Sequence, residues 1–240
     1  NYSTTRGNLT QNHKYLQMAI HTVKILTIGH ITRDALQIFT ERPKGLVFTP
    51  GQAIDISINK KGWENEIRPF TFTSVPDDDY LQFTIKTYPS HKGVTNELLQ
   101  LRKNDELILR DVFGAIEYKG EGYFIAGGAG ITPFVSIFRY LRSKNAIGDN
   151  KLIYANKTRD DIILKYEFHY FLGGNFINIL SDEAAEGYAH GFITENFLKE
   201  HITDFKRNIY LCGPPPMMEA VEKILSGFDV DEKLIIKEAV

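Results

Sequence analysis

Four stretches of this sequence carry residue types suited to a flat, phosphorylated ligand. In Arg68-Pro-Phe-Thr-Phe-Thr-Ser74 an arginine precedes alternating rings and hydroxyls, so an extended strand presents a guanidinium, a ring face and a hydroxyl close together. In Tyr123-Phe-Ile-Ala-Gly-Gly-Ala-Gly-Ile-Thr-Pro133 a short apolar strand stops on glycines and passes to Thr132-Pro133, a helix-start signature in which Thr132 would cap free NH groups. A strand, a bare turn and a helix N-terminus point NH groups at a phosphate, although glycines are also placed in such turns for tight packing. Leu211-Cys-Gly-Pro-Pro-Pro-Met-Met218 again sets prolines at a helix head, with Gly213 permitting close backbone approach; Cys212 reads either as a thiol beside a reacting atom or as an inert buried side chain. After a further strand, Asn156, Lys157 and Arg159 offer polar and basic groups where dinucleotide folds read the ribose 2′ position.

In order and spacing these stretches resemble the ferredoxin-NADP⁺ reductase family. Gly128-x-Gly130-x-x-Pro133 is similar to that family's nicotinamide-domain turn, with proline where the common dinucleotide fingerprint has a third glycine. Arg68-Pro69-Phe70-Thr71 resembles its R-x-Y-[ST] flavin motif, with Phe70 in place of tyrosine, and Ile85-Lys86 and Gly93-Val94-Thr95 resemble its strand-end [VI]-[KR] and G-x-[ST] elements. Cys212-Gly213-Pro214-x-x-Met217 matches its C-G-P-x-x-M motif. The resemblance implies FAD, with Arg68 on its pyrophosphate, Phe70 against the isoalloxazine, Thr71 near flavin N5 and Lys86 supplying charge or lining the adenine side. It also implies NADPH or NADH, with Cys212 beside the nicotinamide C4 and Glu238 within reach of that ring. Asn156, Lys157 and Arg159 incline the choice toward NADPH. Thr71 and Cys212 are the implied catalytic positions. The activity implied is hydride transfer from NAD(P)H to FAD, then electron transfer to a separate protein such as flavodoxin, ferredoxin or an oxygenase component. Reduction of free flavin or quinone, and a flavin-binding sensor without turnover, stand as the rival readings.

Around these motifs the element signals divide the chain. From Ile20 to about Arg110 short alternating strands dominate, over His21–Ile28, Ala35–Thr40, Ala53–Ile58, Phe70–Ser74, Leu81–Thr87 and Leu107–Arg110, as in an antiparallel β-barrel. One helix, over Thr95–Lys103 and capped by Thr95, interrupts them. After about Tyr118 strands alternate with helices, the pattern of a doubly wound parallel α/β sheet; the helix from Thr132 turns its apolar residues inward and leaves Arg139 and Arg142 on the solvent face. The expected organisation is a leader over 1–17, an FAD-binding barrel over 18–117 and an NAD(P)-binding α/β domain over 118–240.

At 240 residues with 42% hydrophobic content, the chain is long enough for two cores. A net charge of −2 argues against nucleic-acid binding. A single cysteine is too few for a four-cysteine iron–sulfur centre and points to a reducing, cytoplasmic setting. No His/Cys cluster suggests a metal, and no run of residues is apolar and long enough to span a bilayer.

Overall fold

The computed structural model describes residues 20–88, 90–114 and 116–238; the leader expected over 1–17 lies outside them. The first half is an antiparallel sheet of β1 (His21–Thr32), β2 (Ala35–Glu41), β3 (Ala53–Ile58), β4 (Arg68–Thr71), β5 (Tyr80–Lys86) and β6 (Glu106–Phe113), in the order β4-β3-β6-β1-β2-β5. The two ends of that order meet just past β4, where Phe72 bridges Phe83 and Thr73 N donates to Gln82 O at 2.8 Å, closing a barrel. Alternation drives this architecture: Ile25, Ile38, Ile54, Phe72, Phe83 and Leu107 are fully buried inside, with Phe48 stacked on Phe72 at 4.0 Å.

The helix expected over Thr95–Lys103 is shorter. It is α1 (Val94–Glu97), followed by a 3₁₀ turn over Leu98–Gln100 and an extended Leu101. Leu98, Leu99 and Leu101 all pack toward the barrel core, and three leucines at that spacing cannot share one face of a continuing α-helix. Gly93 occupies the N-cap position and no side chain caps the helix, so Thr95 does not serve as the cap.

The second half is a parallel sheet with helices on its faces. In chain order it contains β7 (Gly122–Gly127), α2 (Thr132–Ser143), β8 (Lys151–Asn156), α3 (Lys165–Leu172), β9 (Phe176–Leu180), β10 (Ala189–His190), α4 (Glu195–His201), β11 (Asn208–Cys212), α5 (Pro215–Ser226) and β12 (Ile235–Lys237). The strand order is β10-β9-β8-β7-β11-β12. β7 is buried throughout, as a central strand covered on both faces must be. Two helices start later than their apolar residues suggest. Ile162 is buried as extended chain and Ile163 is buried in a turn with Leu164, whose φ is 53, before α3 begins; α4 starts after Thr194, whose hydroxyl accepts from Phe197 N at 3.2 Å.

The two halves are locked together by α2. Arg139, expected on its solvent face, reaches the barrel, where Nη1 donates to Thr73 O and Gln82 Oε1, each at 2.6 Å, while Nη2 donates to Glu167 on α3 at 2.8 Å. The buried Ser136 donates to Ser74 O at 2.7 Å beside it. Ala35 from the β1–β2 hairpin and Ile116 from the linker belong to the same apolar cluster as Ile137 and Phe138 of α2. Arg139→Met should therefore leave Glu167, Gln82 and the Thr73 carbonyl without their common donor, at a cost of about 2–4 kcal/mol, or roughly 5–10 °C in Tm. Calorimetry should show that loss, with the barrel and sheet beginning to unfold as separate transitions; a single transition at the wild-type temperature refutes the clamp.

Candidate functional site

The sheet reverses its winding between β7 and β11, and ligands of open α/β folds bind at such a point, outside the carboxyl ends of the strands. Both motifs read from the second half of the sequence lie there. Cys212 is registered against Ala126 across the two strands, so the turns that follow, Gly127–Ile131 and Gly213–Pro214, are packed on each other. A Cβ on Gly130 would overlap the Cys212 carbonyl and lie 2.7 Å from Gly213 Cα; one on Gly127 would lie 2.5 Å from Met217 Sδ and 2.9 Å from Pro214 Cδ. Tight packing therefore accounts for Gly127 and Gly130. Gly128 differs: its φ is +51, and a Cβ there would meet nothing within 4 Å, which leaves its backbone open to a ligand.

The turn is a 3₁₀ segment over Gly128–Ile131 leading into α2, with Ile131 at the N-cap and Thr132 and Pro133 inside the first turn. Thr132 donates its hydroxyl back to Ala129 O at 3.1 Å and so does not cap the helix as expected. Tyr154, buried beneath the turn, donates to Gly128 O at 2.8 Å. Burial raises its phenol pKa, so the donor proton stays in place at any working pH. The sequence reading missed Tyr154 because a tyrosine within an apolar strand looks like core.

Beside these turns opens a cleft of about 640 Å³. Gly128, Asn156, Lys157, Pro214 and Met217 line it from the α/β side, and Lys86 lines it from the barrel. Lys86 thus belongs to the same cleft as the glycine turn, and Asp34 holds it at 3.0 Å. Asn156 is 8% exposed, and neither its amide nitrogen nor its oxygen has a partner among the described residues. A buried amide with both groups unsatisfied is expensive unless a ligand completes it. Phe192, 79% exposed, adds a ring face at the mouth; its signal in the sequence is no more than an aromatic following Gly191. Arg159 stands outside the cleft lining and is paired, with Nε on Glu183 at 2.8 Å and its own backbone NH on the same carboxylate at 2.9 Å. Asp161 is committed to its turn, accepting from Thr158 N at 3.0 Å and Thr158 Oγ1 at 2.8 Å.

On the barrel side, Arg68 is exposed; its Nη1 donates to Ile67 O at 2.6 Å and its Nη2 lies 3.6 Å from Glu66, with half of the side chain open to solvent and to an anion. Pro69 is exposed, Phe70 packs partly against the barrel core, and Thr71 is half-buried at the end of β4. Ile85 and Val94 are interior residues, and Gly93 has open space where a side chain would be. Arg68, Phe70 and Thr71 stand outside the lining of the cleft, as does Cys212. Cys212 is 9% exposed, and burial, reinforced by the Glu238 carboxylate, pushes its thiol up to about 12. It is a neutral thiol and not a nucleophile. No three His, Cys, Asp or Glu side chains gather as a metal site among the described residues, and no helix there is long and apolar enough to cross a membrane.

The open Gly128, the orphaned Asn156 amide and the exposed Arg68 suit two phosphate-bearing cofactors, and comparison with known proteins agrees. A family described as an FAD-binding domain matches residues 20–118, and one described as an oxidoreductase NAD-binding domain matches residues 124–223. The chain is 31% identical over 236 residues to a glycine betaine monooxygenase reductase subunit of Pseudomonas aeruginosa, covering 91% of this chain and 64% of that one. It is 29% identical over 211 residues to NADH-cytochrome b5 reductase 2 of Mycosarcoma maydis, covering 78% of this chain and 60% of that protein. It spans 60 to 64% of the first three curated relatives. In fold it resembles the flavohem-like FAD/NAD-binding domain of nitric oxide dioxygenase from Vibrio cholerae, with a TM-score of 0.81 at 22% identity over 91% of this chain and 98% of that one. A ferredoxin NADP⁺ reductase from Neisseria gonorrhoeae with bound FAD and NADP superposes with a TM-score of 0.76 at 18% identity, over 88% and 91% of the two chains. With a flavin barrel, a nicotinamide sheet and both motif sets in order, the chain belongs to the ferredoxin-NADP⁺ reductase superfamily of FAD- and NAD(P)-binding oxidoreductases.

Proposed function

We propose that the protein takes a hydride from NADH, or less readily NADPH, onto bound FAD and passes the electrons to a separate acceptor protein. The observation that carries this reading is the cleft at the strand reversal, where an open glycine backbone and an unsatisfied buried amide face a barrel lysine. The hydride and electron chemistry belongs to the bound cofactors, and the chain aligns them. In this reading residues 18–117 hold the flavin and 118–240 the nicotinamide nucleotide. Arg68 neutralises the flavin pyrophosphate, and Gly93, Val94 and Thr95 offer backbone and hydroxyl groups beside it. Phe70 covers one face of the ring system, and Thr71 offers its hydroxyl at N5. Gly128 gives open backbone to the nucleotide pyrophosphate, Asn156 takes a polar edge of the nucleotide, and Phe192 gives its adenine a surface to stack on. Cys212, uncharged, fills space against the nicotinamide.

The coenzyme preference follows from Arg159. A 2′-phosphate would have to draw it off Glu183, so the inclination toward NADPH that its presence suggested gives way to NADH. One cysteine cannot ligate a cluster within these residues, so the acceptor lies outside them, and a reductase component of an oxygenase is favoured by the glycine betaine monooxygenase relatives. Reduction of free flavin is the second reading; turnover with riboflavin as fast as with any protein acceptor would select it.

Purified protein should be yellow, and anaerobic NADH should bleach its flavin band. Arg68→Ala should chiefly weaken FAD retention and Cys212→Ala chiefly slow bleaching; a colourless protein unresponsive to added FAD refutes the reading. Glu183→Gln should raise kcat/KM for NADPH about tenfold, since a freed Arg159 can then meet a 2′-phosphate; an unchanged NADPH/NADH ratio removes Glu183 from the selection. Because its thiol pKa is raised, Cys212 should resist iodoacetamide at pH 8 in the native protein and react rapidly once unfolded. By linkage its buried neutral form stabilises the fold below the unfolded thiol's pKa, and that contribution is lost as pH rises toward about 12. Equal alkylation rates in native and urea-unfolded samples contradict this burial.

A further inference from the structure

The nucleotide cleft is walled on one side by the flavin barrel, through the tip of the β1–β2 hairpin. That tip is rigidly mounted. Asp34 O accepts from Thr87 N at 2.7 Å and from Thr87 Oγ1 at 3.1 Å, Thr32 Oγ1 donates to Asp34 Oδ1 at 3.2 Å, and Ala35 is buried in the apolar cluster of the α/β half. Arg33 stands on this mount, exposed, and lines the cleft together with Gly127, Gly128, Ala129 and Lys157. The cations of the cleft are not equivalent. Lys86 is held by Asp34, whereas Arg33 and Lys157 have no carboxylate partner among the described residues. An unpaired guanidinium on a rigid hairpin, across a cleft from a bare glycine turn, is suited to a phosphate that the turn alone holds only through neutral NH groups.

We propose that Arg33 binds the pyrophosphate of the nicotinamide coenzyme, so that the flavin domain itself supplies a side chain to the nucleotide site. The inference rests on the reductase reading for the identity of the nucleotide, and it makes coenzyme binding a bridge between the two halves. Arg33 contacts a group common to NADH and NADPH and therefore does not choose between them; Arg159 and Glu183, at the far strand end, do that.

The test is calorimetric titration of the FAD-loaded protein with ADP-ribose and with 2′-phospho-ADP-ribose, which carry the pyrophosphate but cannot deliver a hydride. Arg33→Gln should raise Kd for both ligands by about tenfold and flatten the rise of Kd with NaCl, with the thermal midpoint and FAD retention unchanged. Arg33→Lys should keep the salt dependence while recovering part of the affinity. Unchanged Kd for both ligands overturns the proposal, as does a loss confined to the 2′-phosphorylated ligand, which would place Arg33 on the 2′ side. Wild-type protein that binds ADP-ribose but is not bleached by NADH would refute hydride transfer while leaving the role of Arg33 measured. Wild-type protein that binds neither ligand would sink both.

Discussion

The contact on which the nucleotide half depends is the one between two turns at the centre of its sheet. Gly127, Gly130 and Gly213 carry no side chains, and for that reason the segments leaving β7 and β11 pack against each other with the Cys212 carbonyl and Met217 filling the join. Protein interiors tolerate no overlap of this kind, so a methyl group at Gly130 would push the strands apart or tilt α2. Gly128 stays open, with nothing within 4 Å of a Cβ there, while Gly127 before it and Gly130 after it are packed. Tyr154 then fixes that open peptide from below, through a hydrogen bond that burial keeps intact. The open backbone beside the cleft is thus a product of dense packing at Gly127 and Gly130, which flank it.

A second constraint acts between the halves. Two cofactors can react only if the domains that hold them keep a fixed relation, and here α2 serves both. Its N-terminus leaves the glycine turn, and about one and two turns later Ser136 and Arg139 are bonded to Ser74, Thr73 and Gln82 of the barrel. Thr73 lies two residues beyond Thr71. One rigid helix therefore connects the nucleotide turn to the strand that carries the flavin motif, and Glu167 holds the arginine in place from the other side.

Much of this was legible before any coordinates. Period-two alternation located all six barrel strands, and β3 falls on the residues read for it, because a half-buried strand writes its two faces directly into the sequence. The central parallel strands were equally plain as uninterrupted apolar runs. What stayed hidden depends on partners distant in sequence. Arg139 has the spacing of a solvent residue on an amphipathic helix, and only the barrel's position converts it into a clamp. Arg159 reads as a phosphate ligand, and its pairing with Glu183, on a different loop, leaves no mark in the sequence. Thr95 and Thr132 have the right chemistry for caps, but neither helix starts where it would need to. Lys86, read as supplying charge or lining the adenine side, lines the cleft beside the glycine turn, since strand order brings the end of β5 to the α/β half.

The apolar cluster shared across the domain junction bears on how such proteins diversify. Ala35 comes from the barrel hairpin and Ile116 from the linker, yet both are buried among side chains of the α/β half. Exchange of one half between relatives would strand these residues against a surface not shaped for them, so hairpin tip and linker must travel with the nucleotide sheet. The seam along which this architecture can be recombined therefore runs through the barrel rather than around it, and sequence drift in the β1–β2 hairpin should track the second domain more closely than the first.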